Sequence, residues 1–164
     1  MFLRFFTITI LFSLSLFAQE FKIKSIEGDL YDINITNSTI SIKEFPNKVI
    51  MVDFFSTTCP PCIKELPELT KLQETFRDDI QIIGIESASK KDDKKMQEFA
   101  AKHDLNYPVF SLKESGDLIQ FALENSKWNG ALPFKLLYHP RGSLSYQLYG
   151  SMTWEKLTGA LGDL

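Results

Sequence analysis

Apolar and polar positions alternate along Leu30-Tyr31-Asp32-Ile33-Asn34-Ile35 and again along Thr39-Ile40-Ser41-Ile42. That two-residue period gives each stretch one apolar face, as a half-buried strand requires. Thr36-Asn37-Ser38 between them favours a turn, so a small β-hairpin is expected. The pattern changes near Lys48: Val49-Ile50-Met51-Val52-Asp53-Phe54-Phe55 is apolar at all but one position, which suits a strand covered on both faces. From Pro60 to about Arg77 the period becomes helical. Leu66, Leu69, Leu72 and Phe76 form the apolar stripe, and Glu65, Glu68, Lys71 and Glu74 form the polar side.

Ile80-Gln81-Ile82-Ile83-Gly84-Ile85 predicts the next strand, and a lysine-rich helix follows from Asp92 to Lys102 with Met96 and Phe99 pointing inward. This succession makes a βαβ unit. Tyr107-Pro108-Val109-Phe110 suggests a short strand, and Leu118 to Leu123 a short helix or turn. Two further strands, Phe134 to Tyr138 and Leu144 to Tyr149, flank the turn residues Pro140-Arg141-Gly142, and Thr153 to Leu161 predicts a terminal helix. The chain has no internal repeat and no low-complexity linker, so one domain accounts for it.

The first residues read differently. Met1-Phe2-Leu3-Arg4 precedes an apolar run from Phe5 to Ala18, the form of a secretory signal over residues 1–18 with a mature domain over 19–164. An uncleaved membrane anchor is the alternative, because Leu16 and Ala18 make an imperfect cleavage pair. Among the 164 residues, 44% are hydrophobic and 24% charged, the balance of a folded domain rather than a disordered adaptor. Removing Arg4 with the signal makes the formal charge of −3 one unit more negative. That balance, without a long Lys/Arg tract, points away from a nucleic-acid partner; Lys90-Lys91 and Lys94-Lys95 read as solvated helix faces.

The only two cysteines stand at Cys59-Pro60-Pro61-Cys62, directly after the doubly covered strand. A helix starting there aims backbone N–H groups and its dipole at the first sulfur, which favours thiolate. Cys59 is therefore the expected nucleophile, and Cys62, one turn later, the resolving thiol. Both prolines fit early helical positions where no N–H is needed. A structural disulfide or half a zinc site are the competing readings of a lone CxxC pair, and His103 and His139 offer no paired metal motif. No metal or cofactor is expected: there is no phosphate-cradling glycine loop, and no histidine adjoins the cysteine pair for haem attachment.

Asp53 lies six residues before Cys59 in an apolar strand, where a carboxylate needs compensation. Proton relay to Cys62 is its expected role, against a core aspartate satisfied by water or hydroxyls. Glu65 either tunes the dithiol or is an ordinary solvent-facing helix carboxylate. Trp128 is either a recognition surface or a lid over the core.

The stretch Val52-Asp53-Phe54-Phe55-Ser56-Thr57-Thr58-Cys59-Pro60-Pro61-Cys62-Ile63-Lys64-Glu65-Leu66-Pro67 resembles the active-site strand and helix of exported thioredoxin-like proteins of the TlpA/ResA group. Glu65 and Pro67 keep the group's spacing after the cysteines. Gly130-Ala131-Leu132-Pro133-Phe134 resembles its later cis-proline loop, and Gly142, Gly150 and the terminal helix carry the likeness over most of residues 28–161. Leu132 stands where Val, Thr or Ile is common, and Asp53 resembles the buried aspartate of thioredoxins themselves rather than the group's frequent Asn.

The resemblance implies an α/β fold, a thioredoxin-like mixed sheet flanked by helices, with an N-terminal β-hairpin and a central βα insertion. It implies a cis Leu132-Pro133 bond, with Leu132 and Pro133 binding substrate beside Trp128. It further implies a periplasmic thiol:disulfide oxidoreductase that reduces selected exported cysteine-containing proteins, apocytochrome c among them, and is recharged by a membrane-linked thiol reductant. A DsbA-like oxidase is the enzymatic alternative, although that group's larger helical insertion is not evident. A thiol peroxidase would need a Pro-x-x-x-Thr-x-x-Cys pattern that is missing before Cys59, and copper delivery would need a different cysteine and histidine context. The alternative from another class is a binding module with a structural disulfide.

Overall fold

The computed structural model describes residues 18–36 and 38–162. Apart from Ala18, the expected export signal lies outside the described residues, as does Asn37 of the expected hairpin turn. Strands β1 (Ala18–Lys24), β2 (Leu30–Thr36) and β3 (Thr39–Ile42) form a three-stranded antiparallel sheet in that order. The hairpin is thus present and is widened by β1, which was not among the expected strands. Its signal was there: Phe21 and Ile23 alternate with Glu20, Lys22 and Lys24, and β1 begins at Ala18, where the signal was expected to end. Ile23, Ile33, Ile35, Ile40 and Ile42 turn the sheet's apolar face onto the core.

The main sheet has five strands in the order β6-β5-β4-β7-β8. It comprises β4 (Val49–Phe55), β5 (Ile80–Glu86), β6 (Val109–Phe110), β7 (Phe134–Tyr138) and β8 (Leu144–Tyr149). The first three run parallel, while β7 pairs antiparallel with both β4 and β8. Helices α1 (Pro60–Thr75), α2 (Asp93–Lys102), α3 (Gly116–Asn125) and α4 (Trp154–Gly162) complete the mixed α/β architecture. The expected short helix or turn at residues 118–123 is a full helix, α3, and the third parallel strand is shorter than Tyr107–Phe110 suggested.

Central position explains the composition of β4. Ile50, Val52 and Phe54 pack on one side with the small sheet and with Leu118, Phe121 and Ala122 of α3. Met51 and Phe55 pack on the other with Leu69 and Leu72 of α1, Met96 of α2 and Leu157 of α4. All seven residues are buried, so the strand has no face on which polar alternation could develop.

The small sheet is tied to the main one through the β7–β8 turn. Ile40 donates its N–H to the Gly142 carbonyl at 2.9 Å, and Thr39 bridges to Ser143. Gly142 has φ +90°, and a Cβ there would lie 2.8 Å from the Ile40 carbonyl oxygen. Gly142→Ala therefore meets both backbone strain and a collision with fixed backbone. It is expected to lower stability by about 1–3 kcal/mol, measured by denaturant unfolding; an unchanged midpoint would show that this junction yields freely.

Candidate active site

Cys59 is the N-cap of α1, with extended backbone angles, and Pro60 and Pro61 occupy the first helical positions. Cys59 and Cys62 form a disulfide, and the Cys62 N–H points at Cys59 Sγ at 3.3 Å. The two sulfurs occupy unlike surroundings. Cys59 is half-buried, whereas Cys62 is 0% exposed and belongs to the apolar cluster beneath the helix. Once the disulfide is reduced, a helix N-terminus favours thiolate at the accessible sulfur, and burial in apolar surroundings favours the protonated form of the second.

On the side of the sheet that packs against α1 and Cys62 lies a charged cluster. Asp53, Glu65 and Lys135 are all buried. Lys135 Nζ sits 2.6 Å from Glu65 Oε1 and 3.3 Å from Asp53 Oδ1. The contact to Asp53 is the longer of the two, and neither Asp53 oxygen makes a well-aligned hydrogen bond among the described residues. Glu65 Oε2 accepts the Met152 N–H at 3.0 Å. Glu65 thus departs from the solvent-facing side where helical spacing placed it: it lies one turn from Cys62 and points into the protein. Lys135 escaped the sequence reading altogether. Two signals were available, a lone lysine in the apolar strand Phe134-Lys135-Leu136-Leu137-Tyr138 and a lone aspartate in β4, and the register pairs the two residues directly.

Burial pushes the Asp53 carboxyl above its ordinary range, against the pull of the Lys135 ammonium. Burial likewise pushes Glu65 up to about 6; Lys135 opposes the shift and the Asp53 charge adds to it. Tyr107 stands nearby: its ring is 3.2 Å from where a Cβ on Gly84 would lie, and Gly84 pairs with Asp53 across β4 and β5. Desolvation, with the charges of Asp53 and Glu65, holds the Tyr107 hydroxyl well above its usual ionisation range.

The Leu132–Pro133 peptide is cis. Leu132 is half-buried and packs against both apolar clusters, while Pro133 is buried and its carbonyl accepts the Gly150 N–H at 2.9 Å. Trp128, one of the expected substrate contacts, is 6% exposed. Its ring stacks on Phe134 at 5.5 Å and tilts against Phe54 at 4.3 Å, and its indole N–H donates to the Ala131 carbonyl at 2.7 Å. In place of an exposed recognition surface it forms a lid over the core that anchors the proline loop from inside.

A further carboxylate went unnoticed in the sequence. Glu86 ends β5 fully buried, and accepts N–H groups from Thr57 at 2.7 Å, Ala88 at 3.0 Å and Ser89 at 2.9 Å. It fixes the turn that delivers Cys59. An acid closing an apolar strand was its only mark in the sequence.

The fold is thioredoxin-like, and it carries a disulfide-bonded Cys59–Cys62 pair at the start of α1. The chain belongs to the AhpC/TSA family, whose profile matches residues 17–147. It is 24% identical over 150 residues to the thiol-disulfide oxidoreductase ResA of Oceanobacillus iheyensis, covering 90% of this chain and 70% of that protein. It is 26% identical over 93 residues to the thioredoxin-like protein YneN of Bacillus subtilis, covering 56% of this chain and 49% of that one. This chain therefore spans about half the length of YneN. Among solved structures, StoA from Bacillus subtilis superposes with TM-score 0.64 at 21% identity, covering 90% of this chain and 99% of that one. A secreted Mycobacterium tuberculosis disulfide oxidoreductase homologous to DsbE gives 0.62 at 20% identity, covering 88% and 96%. At these identities the structural likenesses establish the fold.

The raised Glu65 carboxyl has a consequence for stability. The folded protein binds this proton more tightly than the unfolded chain, so the contribution is complete below about 4.5 and is lost as pH rises through about 6. Glu65→Gln removes it. Between pH 4 and pH 7 the stability of wild type relative to Glu65→Gln is expected to fall by about 1–2 kcal/mol, measured by denaturant unfolding of the oxidised proteins. A difference that stays constant or moves the opposite way would contradict the assignment.

Proposed function

We propose that the protein is exported to the periplasm through its N-terminal segment and there reduces disulfides of selected exported proteins, with apocytochrome c of cytochrome c maturation among its substrates. The unequal exposure of the two sulfurs carries this reading: a half-exposed Cys59 at a helix start can meet a substrate, and a buried Cys62 can only follow. A binding module with a purely structural disulfide would have no need of the accessible sulfur. The reductive direction rests on the resemblance of the active-site stretch to the TlpA/ResA group.

Reduced Cys59 thiolate attacks a substrate disulfide and forms a mixed disulfide, releasing one substrate sulfur. Cys62 then loses its proton and attacks Cys59 Sγ, releasing the second substrate sulfur and leaving Cys59–Cys62 oxidised. A membrane-linked thiol donor restores the dithiol. Asp53 relays the Cys62 proton and Glu65 tunes the pair, while Leu132 beside Pro133 presents backbone to the substrate peptide. Trp128 serves this loop from below.

Cys62→Ala is expected to accumulate exported substrates joined through Cys59, and Cys59→Ala to accumulate almost none while remaining folded, both read by mass mapping of trapped adducts. Apocytochromes among the adducts would support the assigned pathway. Preferential oxidation of reduced clients would replace the reductase with an oxidase. In the same assay Asp53→Asn should slow resolution more than mixed-disulfide formation, by roughly tenfold or more. Equal slowing of both steps would mark Asp53 as structural.

A further inference from the structure

We propose that Lys135 is the positioning residue through which Asp53 and Glu65 act as one proton-holding group for Cys62, an inference that rests on thiol–disulfide exchange at Cys59 and Cys62. Its first support is placement. Lys135 lies directly opposite Asp53 in the β4–β7 register and reaches across to Glu65 of α1, so one ammonium joins carboxylates from two elements. Glu65 is one helical turn from Cys62, and Met51 and Phe55, which share Asp53's face of β4, pack in the same apolar cluster as Cys62. The charged cluster therefore lies on the buried side of the dithiol, away from the side where substrate meets Cys59.

Charge supplies the second support. With both carboxylates ionised, one ammonium leaves this buried cluster a net negative charge. One added proton neutralises it. Burial has raised both carboxyls, Glu65 to about 6, so the pair holds this proton to a higher pH than exposed carboxyls would. The other groups facing the cluster do not compete. The Tyr107 hydroxyl stays protonated, Met152 contributes only a backbone N–H to Glu65, Gly84 lies opposite Asp53 on β5, and Leu148 lies opposite Lys135 on β8. Asp53 Oδ1 faces Lys135, and Asp53 Oδ2, with neither a hydrogen bond nor an ion pair among the described residues, is the open acceptor.

During resolution the Cys62 S–H proton passes to this carboxylate pair as a bond forms between Cys62 Sγ and Cys59 Sγ. The bond from Cys59 to the substrate sulfur breaks, and that sulfur leaves with the electron pair and takes a proton from solvent. The cluster later returns its own proton to solvent. The two electrons gained by the substrate come from the Cys59–Cys62 dithiol, so no further reductant enters. Without the Lys135 charge, both carboxyls in this buried site hold protons and neither accepts one from Cys62.

The test is the biphasic reaction of the reduced full-length protein with glutathione disulfide, followed across pH for wild type, Lys135→Met, Glu65→Gln and the double variant. The first phase reports attack by Cys59 and the second reports resolution by Cys62. Lys135→Met is expected to keep the first phase, to slow the second by roughly 10–100-fold at neutral pH, and to move its pH midpoint up by about one unit or more. Glu65→Gln leaves Lys135 to Asp53 alone and moves the midpoint down. The double variant leaves Asp53 without a cation and moves it up again. Should Lys135→Met fail to fold, the double variant, with one buried carboxyl fewer, makes the decisive comparison with Glu65→Gln. Identical second-phase midpoints in those two proteins, or a Lys135→Met profile that overlays wild type, would overturn the proposal. A wild-type protein showing no first phase would instead overturn the exchange reading on which it rests.

Discussion

Strand β4 has no solvent-facing side, and most of the molecule is arranged to cover it. It is hydrogen-bonded along both edges, by β5 and β7, and enclosed by α1 on one face and by α3 with the small sheet on the other. A strand held in this way ends at a fixed point. The turn after Phe55 is fixed as well, because Glu86 at the end of the neighbouring strand accepts the Thr57 N–H. Cys59 therefore begins α1 at a position set by the centre of the sheet, and rigid support of this kind gives a reacting sulfur its geometry.

The same enclosure makes Asp53 costly. A carboxylate inside such a strand needs a counter-charge, and the antiparallel neighbour provides Lys135 at the paired position. Lys135 in turn draws Glu65 inward from α1, and Glu65 fastens the segment at Met152. Ser151 adds a second tie from this segment, donating to the Pro61 carbonyl at 2.8 Å. Charge burial thus links the centre of the sheet, the first turns of the active-site helix and the stretch entering α4. The raised carboxyls result from this packing.

Much of this was legible in the chain because its strong signals are local. The continuous apolar run of β4, the CPPC pair with its early prolines, and the switch to helical spacing each have one physical reading, and the described strands and helices follow them closely. The cis proline loop was legible only through its resemblance to the TlpA/ResA group. What escaped depends on contacts between distant segments. Helical spacing placed Glu65 among polar neighbours, and only the partner across 70 residues draws it inside. Trp128 gave no sign of whether it faced solvent, since its burial depends on Phe54 and Phe134 meeting beneath it. Strand β1 was obscured by the apolar segment before it, and Glu86 by being a single acid at a strand end.

The most direct measurement of the central claim is the ionisation of each cysteine in the reduced protein, followed by carbon-13 shifts of selectively labelled Cys59 and Cys62 across pH. The helix start and partial exposure of Cys59 predict a value clearly below the ordinary thiol value of about 8.5, and the apolar burial of Cys62 predicts one above it. Coincident titrations, or Cys62 ionising first, would contradict the assignment of attack to one sulfur and release to the other.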